Sequence, residues 1–133
     1  MIIKNYQFNI NLEIINKHQA LLLYGINEGI KKEFVEKVKE QNKQAEIHSF
    51  FEEEILKNNQ LFFEKISNNS LFAEKTIIFI HQASDKIFNE IEQCLVKLDQ
   101  NTRIYIISNI LEKKSKLRKL FPDVRFKIVS RPF

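Results

Sequence analysis

Glycine and proline are almost missing from this chain, two of each in 133 residues. That scarcity excludes an all-β fold built on tight turns, which draws on both residues at its corners. It also excludes a linker-rich chain. Cysteine occurs once, at Cys94, so no internal disulfide can form and a reducing cytoplasm suits the chain. No window approaches the roughly 18 apolar residues of a membrane span, and no charged-then-apolar signal pattern opens the sequence. Charge of one sign is not massed anywhere. The net value is +4 with a pI near 9.1, a mildly basic balance that permits nucleic acid nearby without requiring it.

What is present is an alternation of apolar runs and amphipathic stretches. Tyr6 to Ile14 alternates with period two and predicts a half-buried strand. Ala20-Leu21-Leu22-Leu23-Tyr24 is a short continuous apolar run, the pattern of a strand covered on both faces. Gly25 to Gly29 turns the chain into a helix, with Asn27 as N-cap, Glu28 at the positive helix start, and Ile30, Phe34, Val35 and Val38 on one face. A short strand at Ala45–Ser49 precedes a helical stretch from Phe50 to Ile66 with a break at Asn58-Asn59. Thr76–Ile80 is a second buried strand, and Ser84 caps a helix striped by Ile87, Phe88, Ile91, Leu95 and Leu98. Arg103–Ile107 is a third buried strand. Lys113–Phe121 reads as a short basic helix, and Val124–Val129 as a more exposed edge strand. At this length the chain is one domain, and the order predicts an α/β layered fold around a mainly parallel sheet.

The strand-glycine-helix unit at Leu21 to Val38 is where a nucleotide would bind. A phosphate loop requires two glycines five residues apart, then a lysine and a hydroxyl for magnesium. Counted from Gly25, the second glycine position holds Ile30, the lysine position holds Lys31, and the hydroxyl position holds Lys32. A branched side chain therefore stands where phosphate should approach, and the magnesium hydroxyl is missing. His18, His48 and His81 are isolated from one another and from Cys94, with no zinc-ligand spacing. Glu52-Glu53-Glu54 complements a helix start, and Cys94 beside Leu95 predicts a buried, inert thiol. Nothing here assembles a catalytic set. The lysine-rich segment Lys113, Lys114, Lys116, Arg118 and Lys119 is either the wet face of a helix or a contact for DNA or an acidic partner.

One connection stands apart. Ser67-Asn68-Asn69-Ser70 is a polar turn followed at once by Leu71 and Phe72. Those two side chains either tuck back into the core or stand out as an apolar wedge for a partner.

Four pieces, taken in order, resemble the N-terminal domain of the delta subunit of bacterial DNA polymerase III clamp loaders. They are Leu21-Leu22-Leu23-Tyr24-Gly25 followed by Asn27-Glu28-Gly29; Ser70-Leu71-Phe72-Ala73-Glu74-Lys75 entering Thr76–Ile80; Ile104-Tyr105-Ile106-Ile107; and Ser115-Lys116-Leu117-Arg118-Lys119-Leu120-Phe121. The resemblance implies a three-layer, AAA+-like (P-loop NTPase-like) domain over residues 1–133. It implies a mainly parallel five-stranded sheet, a degenerate nucleotide site, no cofactor or metal, no catalysis by this subunit and a cytoplasmic location. It makes Leu71 and Phe72 anchors in a pocket of the sliding clamp, with Ser70 as the flanking turn residue. Its implied partners are the sliding clamp, the other clamp-loader subunits and, indirectly, DNA. The family's lid and C-terminal oligomerisation domains have no counterpart in these residues, which implies a domain that binds clamp without joining a loader ring. The alternatives are a P-loop-type nucleotide-binding domain and a DNA-binding module using the Lys113–Lys119 helix.

Overall fold

The structure is a computed structural model that describes residues 2–4, 19–25, 28–67, 75–121 and 125–129, the first and last of these as backbone alone. Its elements follow in the order β1 (Ile2–Lys4), β2 (Ala20–Gly25), α1 (Glu28–Gln41), β3 (Glu46–Phe51), α2 (Glu52–Lys57), α3 (Asn59–Ser67), β4 (Thr76–Ala83), α4 (Phe88–Lys97), β5 (Thr102–Ser108), α5 (Lys116–Leu120) and β6 (Arg125–Val129). The strands form one sheet in the order β1-β6-β2-β5-β4-β3, and every pairing is parallel.

Among the described residues the sheet has six strands, where the family resemblance implies five. The added one is Ile2–Lys4, which pairs with β6 in the register Ile2↔Lys127 to Lys4↔Val129. Three residues are too few for a period to show. With β1 on its far side, β6 is an interior strand, and the edge expected at Val124–Val129 falls instead at β1 and β3. The alternation around Arg125 and Lys127 reported composition and not position in the sheet. Tyr6–Ile14 and the Asn27 cap lie outside the described residues.

The three continuous apolar runs became β2, β4 and β5, because strands flanked on both sides and covered on both faces have no polar side to show. Odd and even residues separate accordingly. Leu21, Leu23, Ile77, Phe79, Tyr105 and Ile107 pack with Phe34 and Val38 of α1. Leu22, Ile78, Ile80, Ile104 and Ile106 pack with Ile55, Phe62, Ile66, Ile91, Cys94 and Leu117 from the other helices and with Phe121 just past α5. Burying each such aliphatic side chain contributes roughly 1.5–3 kcal/mol, so these two layers dominate stability.

Helix ends follow local chemistry. The stretch from Phe50 divides at Asn58, which leaves helical geometry and whose Oδ1 accepts from the Leu61 amide at 3.1 Å. Phe50 and Phe51 extend β3 and do not start the helix; Glu54 reaches back to accept from the Phe51 amide at 3.1 Å, one half of a capping box. Ser84 Oγ accepts from the Lys86 amide at 3.2 Å and opens a short 3-10 turn before α4. The basic helix is confined to Lys116–Leu120, with Ser115 as its N-cap.

Two features of the topology locate a site. The neighbours of β2, which are β5 and β6, lead away in opposite directions, so the crevice above the carboxyl ends of β2 and β5 is a topological switch point. On the opposite face to α2–α5, α1 is the only helix that contributes core residues among those described. One helix about 10 Å across cannot cover four strands spaced about 4.8 Å apart. The outer edge at β3 therefore keeps Ser49 and Phe51 exposed, with Phe51 at 45%.

Candidate functional site

At the end of β2, Gly25 takes φ 144, a backbone angle that a residue with a Cβ avoids. The chain then enters α1, and Lys31 points from its first turn back under the switch point. Lys31 is only 4% exposed. Its ammonium donates to the carbonyl oxygens of Gly25 (2.9 Å) and Ser108 (3.3 Å) and to Asn109 Oδ1 (3.1 Å), and it pairs with Glu28 at 2.8 Å. A lysine in the phosphate-loop position is thus committed to the carboxyl ends of β2 and β5. Glu28 is largely in water, so the two carbonyls, both from buried residues, make the tighter part of this arrangement.

Beside Lys31 opens a cleft of about 240 Å³, walled by Glu28, Lys32 and Val35 of α1 and by Phe51, His81, Gln82, Ile107 and Asn109 from the ends of β3, β4 and β5. The end of β4, where a metal-binding carboxylate could stand, offers His81 and Gln82. The acid in the wall is Glu28, already paired with Lys31. Among the described residues no group of three or more His, Cys, Asp or Glu could hold a metal ion.

Gln82 is the one non-glycine residue with positive φ among those described, at 55. It sits where the β4–β5 register slips between Ile80 and Ala83. A bulge with a left-handed residue at its apex re-aims side chains at a strand end. The ring of His81 lies stacked between Phe51 (centroids 5.1 Å, 30°) and Phe79 (6.1 Å, 25°), and the Lys39 ammonium stands 5.9 Å over Phe79. Burial, with the Lys39 charge, pushes the His81 pKa below its ordinary 6.5, so the ring is neutral at physiological pH. The sequence hides this stack, because Phe51, His81 and Lys39 come from three separate elements.

The basic segment divides on folding. The Asp85 carboxylate accepts from Ser115 Oγ (2.8 Å) and from the amides of Lys116 (3.0 Å) and Leu117 (3.1 Å), an N-cap supplied from another element. Burial raises the Asp85 pKa, but the Lys116 and Leu117 amides, the Ser115 hydroxyl and the Lys116 charge outweigh it, and the net shift is below the ordinary 3.8. Arg118 turns inward, its Nη1 donating to the Leu111 carbonyl at 3.3 Å and its guanidinium lying 5.0 Å from the Tyr24 ring. Lys116 lies 5.8 Å over Phe88. Lys113, Lys114, Lys116 and Lys119 stay exposed. Arg118 therefore does not belong to one basic face with the four lysines.

Ser70, Leu71 and Phe72 lie outside the described residues. The elements on either side are α3, which buries Phe62 and Ile66 and exposes Leu61, and β4.

No family model matches this chain, and no curated protein does. Among solved structures it is similar to the Bacillus subtilis DNA clamp loader delta protein (YqeN), with a TM-score of 0.66 and 14% identity. The match covers 96% of this chain and 42% of that one, so the chain spans less than half the length of the protein it matches. At that identity the likeness concerns the fold. It is a mixed α/β architecture with a parallel sheet and helices on both faces. No helix among the described residues is long and apolar enough to cross a membrane.

Proposed function

We propose that this chain acts as a delta-type, non-catalytic clamp-loader domain that binds the cytoplasmic sliding clamp and helps to open its ring during DNA replication. The observation that carries the reading is the fold likeness to a clamp loader delta protein over 96% of the chain, joined to the Ser70-Leu71-Phe72 segment between α3 and β4. Leu71 and Phe72 enter a hydrophobic pocket of the clamp, and Ser70 sets the turn before them. Two large side chains concentrated in one pocket are the usual source of affinity at an interface. Ring opening then needs no chemistry, only tighter binding to the open ring than to the closed one.

The nucleotide site is degenerate in this reading. Lys31 is held by Gly25, Ser108 and Asn109, Ile30 stands in the glycine position, and Lys32 replaces the magnesium hydroxyl. The other clamp-loader subunits are partners of the longer protein that this domain represents.

The test compares the wild-type chain with the Leu71→Ala/Phe72→Ala variant in urea unfolding and in capture by the sliding clamp of the same organism. Anchors that serve a partner leave unfolding free energy within about 0.5 kcal/mol of the wild type while capture is lost. A loss of about 4 kcal/mol or more would mark both residues as core and sink the assignment.

A further inference from the structure

Two hollows border the lateral face of α1 beside strand β3, one at the start of the helix and one past its end, and we take the surface that joins them as one groove that the clamp-loader reading does not use. Its floor carries the Phe51 and His81 rings, stacked on each other. Its wall is a row of lysines. Lys32 borders the cleft beside the rings, Lys39 lies over Phe79 about two turns further on, and Lys43 follows in a second hollow. That hollow also holds Lys75, whose ammonium donates to Asn42 Oδ1 at 2.7 Å. Lys32, Lys39 and Lys43 are exposed, and none is in an ion pair with a described residue. On α1, Glu28 is tied to Lys31 and Glu33 to Lys37, which leaves Glu36 and Glu40 against the lysine row. The end away from the rings is cationic too. Burial, with the neighbouring Arg103 charge, lowers the Lys75 pKa from 10.5, and Glu40 is the carboxylate that shares this hollow with Lys43 and Lys75.

We propose that this groove binds single-stranded DNA, with a base stacked on Phe51 and the backbone following Lys32, Lys39 and Lys43. A positively charged groove with an exposed ring in its floor is the arrangement that holds an unpaired strand, since every base has a π-face and every linkage a charge. From Lys32 to the end of α1 at Gln41 the helix rises about 13 Å, with Lys43 just beyond it, room for about four nucleotides at the 3.4 Å rise of one stacked strand. Duplex DNA does not suit the groove, because its bases are already stacked. Gln82, displaced from the ladder at the bulge, stands on the rim beside the rings. The choice of DNA over RNA rests on the clamp-loader reading; the groove itself does not.

The test is fluorescence anisotropy with a labelled 16-nucleotide oligothymidylate, its ribo-uridylate counterpart and a duplex of equal length. The single DNA strand binds best, and three lysine contacts at about −0.7 each in the log–log salt slope weaken it about 20-fold between 50 and 200 mM salt. Phe51→Ala weakens binding about tenfold at constant salt slope, whereas Lys32→Gln/Lys39→Gln lowers the slope by about 1.4. Both sites are exposed, so the variants fold. No binding at 50 mM salt, equal binding of the duplex, preference for the ribo-oligomer, or an unaffected Phe51→Ala would each overturn the proposal. Loss of binding in Lys113→Gln/Lys114→Gln with Phe51→Ala intact would overturn it too, by moving the contact to the basic segment that precedes α5. A chain that binds the oligothymidylate but not the clamp would sink the clamp reading alone.

Discussion

Replacing Lys31 by methionine separates the two roles a lysine can play at the start of α1. Methionine keeps the stem length and removes the ammonium. Three acceptors lose their donor: the Gly25 and Ser108 carbonyls and Asn109 Oδ1. Asn109 is exposed and can turn to water, but Gly25 and Ser108 are buried, so two acceptors are left stranded. Charge-assisted bonds of this kind contribute about 1.5 kcal/mol each at the low end, or about 3 kcal/mol together. The apolar stem no longer carries a desolvated charge, which offsets part of that sum, and the Glu28 pair adds little because it faces water. The expected cost of Lys31→Met is about 2 kcal/mol by urea unfolding. The wild-type melting curve should not move with millimolar ATP and magnesium, since a bound ligand would raise it. A Lys31→Met chain as stable as the wild type, combined with an ATP-dependent rise in the wild type that the variant lacks, would refute the reasoning and return Lys31 to phosphate binding.

Cys94 is fully buried, and desolvation, only partly offset by the Lys97 charge, pushes its thiol from 9.0 up to about 12. A raised folded pKa supplies stability that is complete below 9.0 and is lost as pH rises toward the folded value. The stability difference between the wild type and Cys94→Ala should therefore shrink by about 1.4 kcal/mol between pH 8 and pH 10, and a constant difference would contradict the burial. Native Cys94 should also resist iodoacetamide until the chain is unfolded by urea. For Asp85, whose pKa is lowered, the sign reverses: its contribution is present above 3.8 and is lost as pH falls through the folded value. Asp85→Ala should cost about 1 kcal/mol at pH 7, the usual size of a lost N-cap, and less as pH falls below 3.8; an equal cost at pH 7 and pH 2 would show that the carboxylate charge is irrelevant.

Much of the fold was legible in the sequence because burial on both faces leaves an unmistakable run. Leu21–Leu23, Ile77–Ile80 and Ile104–Ile107 could only be covered interior strands. Edges were harder, since Ile2–Lys4 is too short to show a period, and the pairing that makes β6 interior is long-range. Phe50-Phe51 was misplaced because two phenylalanines before three glutamates fit a helix start as well as a strand end. At the site, the departure of Ile30 and Lys32 from the phosphate-loop pattern was plain in the sequence, yet which oxygens hold Lys31 depends on β5, 77 residues away for Ser108. The division of Arg118 from its neighbouring lysines follows from Tyr24 and Leu111, which periodicity does not reveal. The Phe51–His81 stack depends on the register Phe51↔His81 between two parallel strands.

In the proposed function, clamp binding rests on Leu71 and Phe72. The most direct measurement is a calorimetric titration of the wild-type chain and the Leu71→Ala/Phe72→Ala variant into the sliding clamp. Two anchors at about 1.5–3 kcal/mol each predict saturable binding by the wild type and a loss of at least about 100-fold in the variant. Equal affinity of the two proteins, or no binding by the wild type, would contradict it.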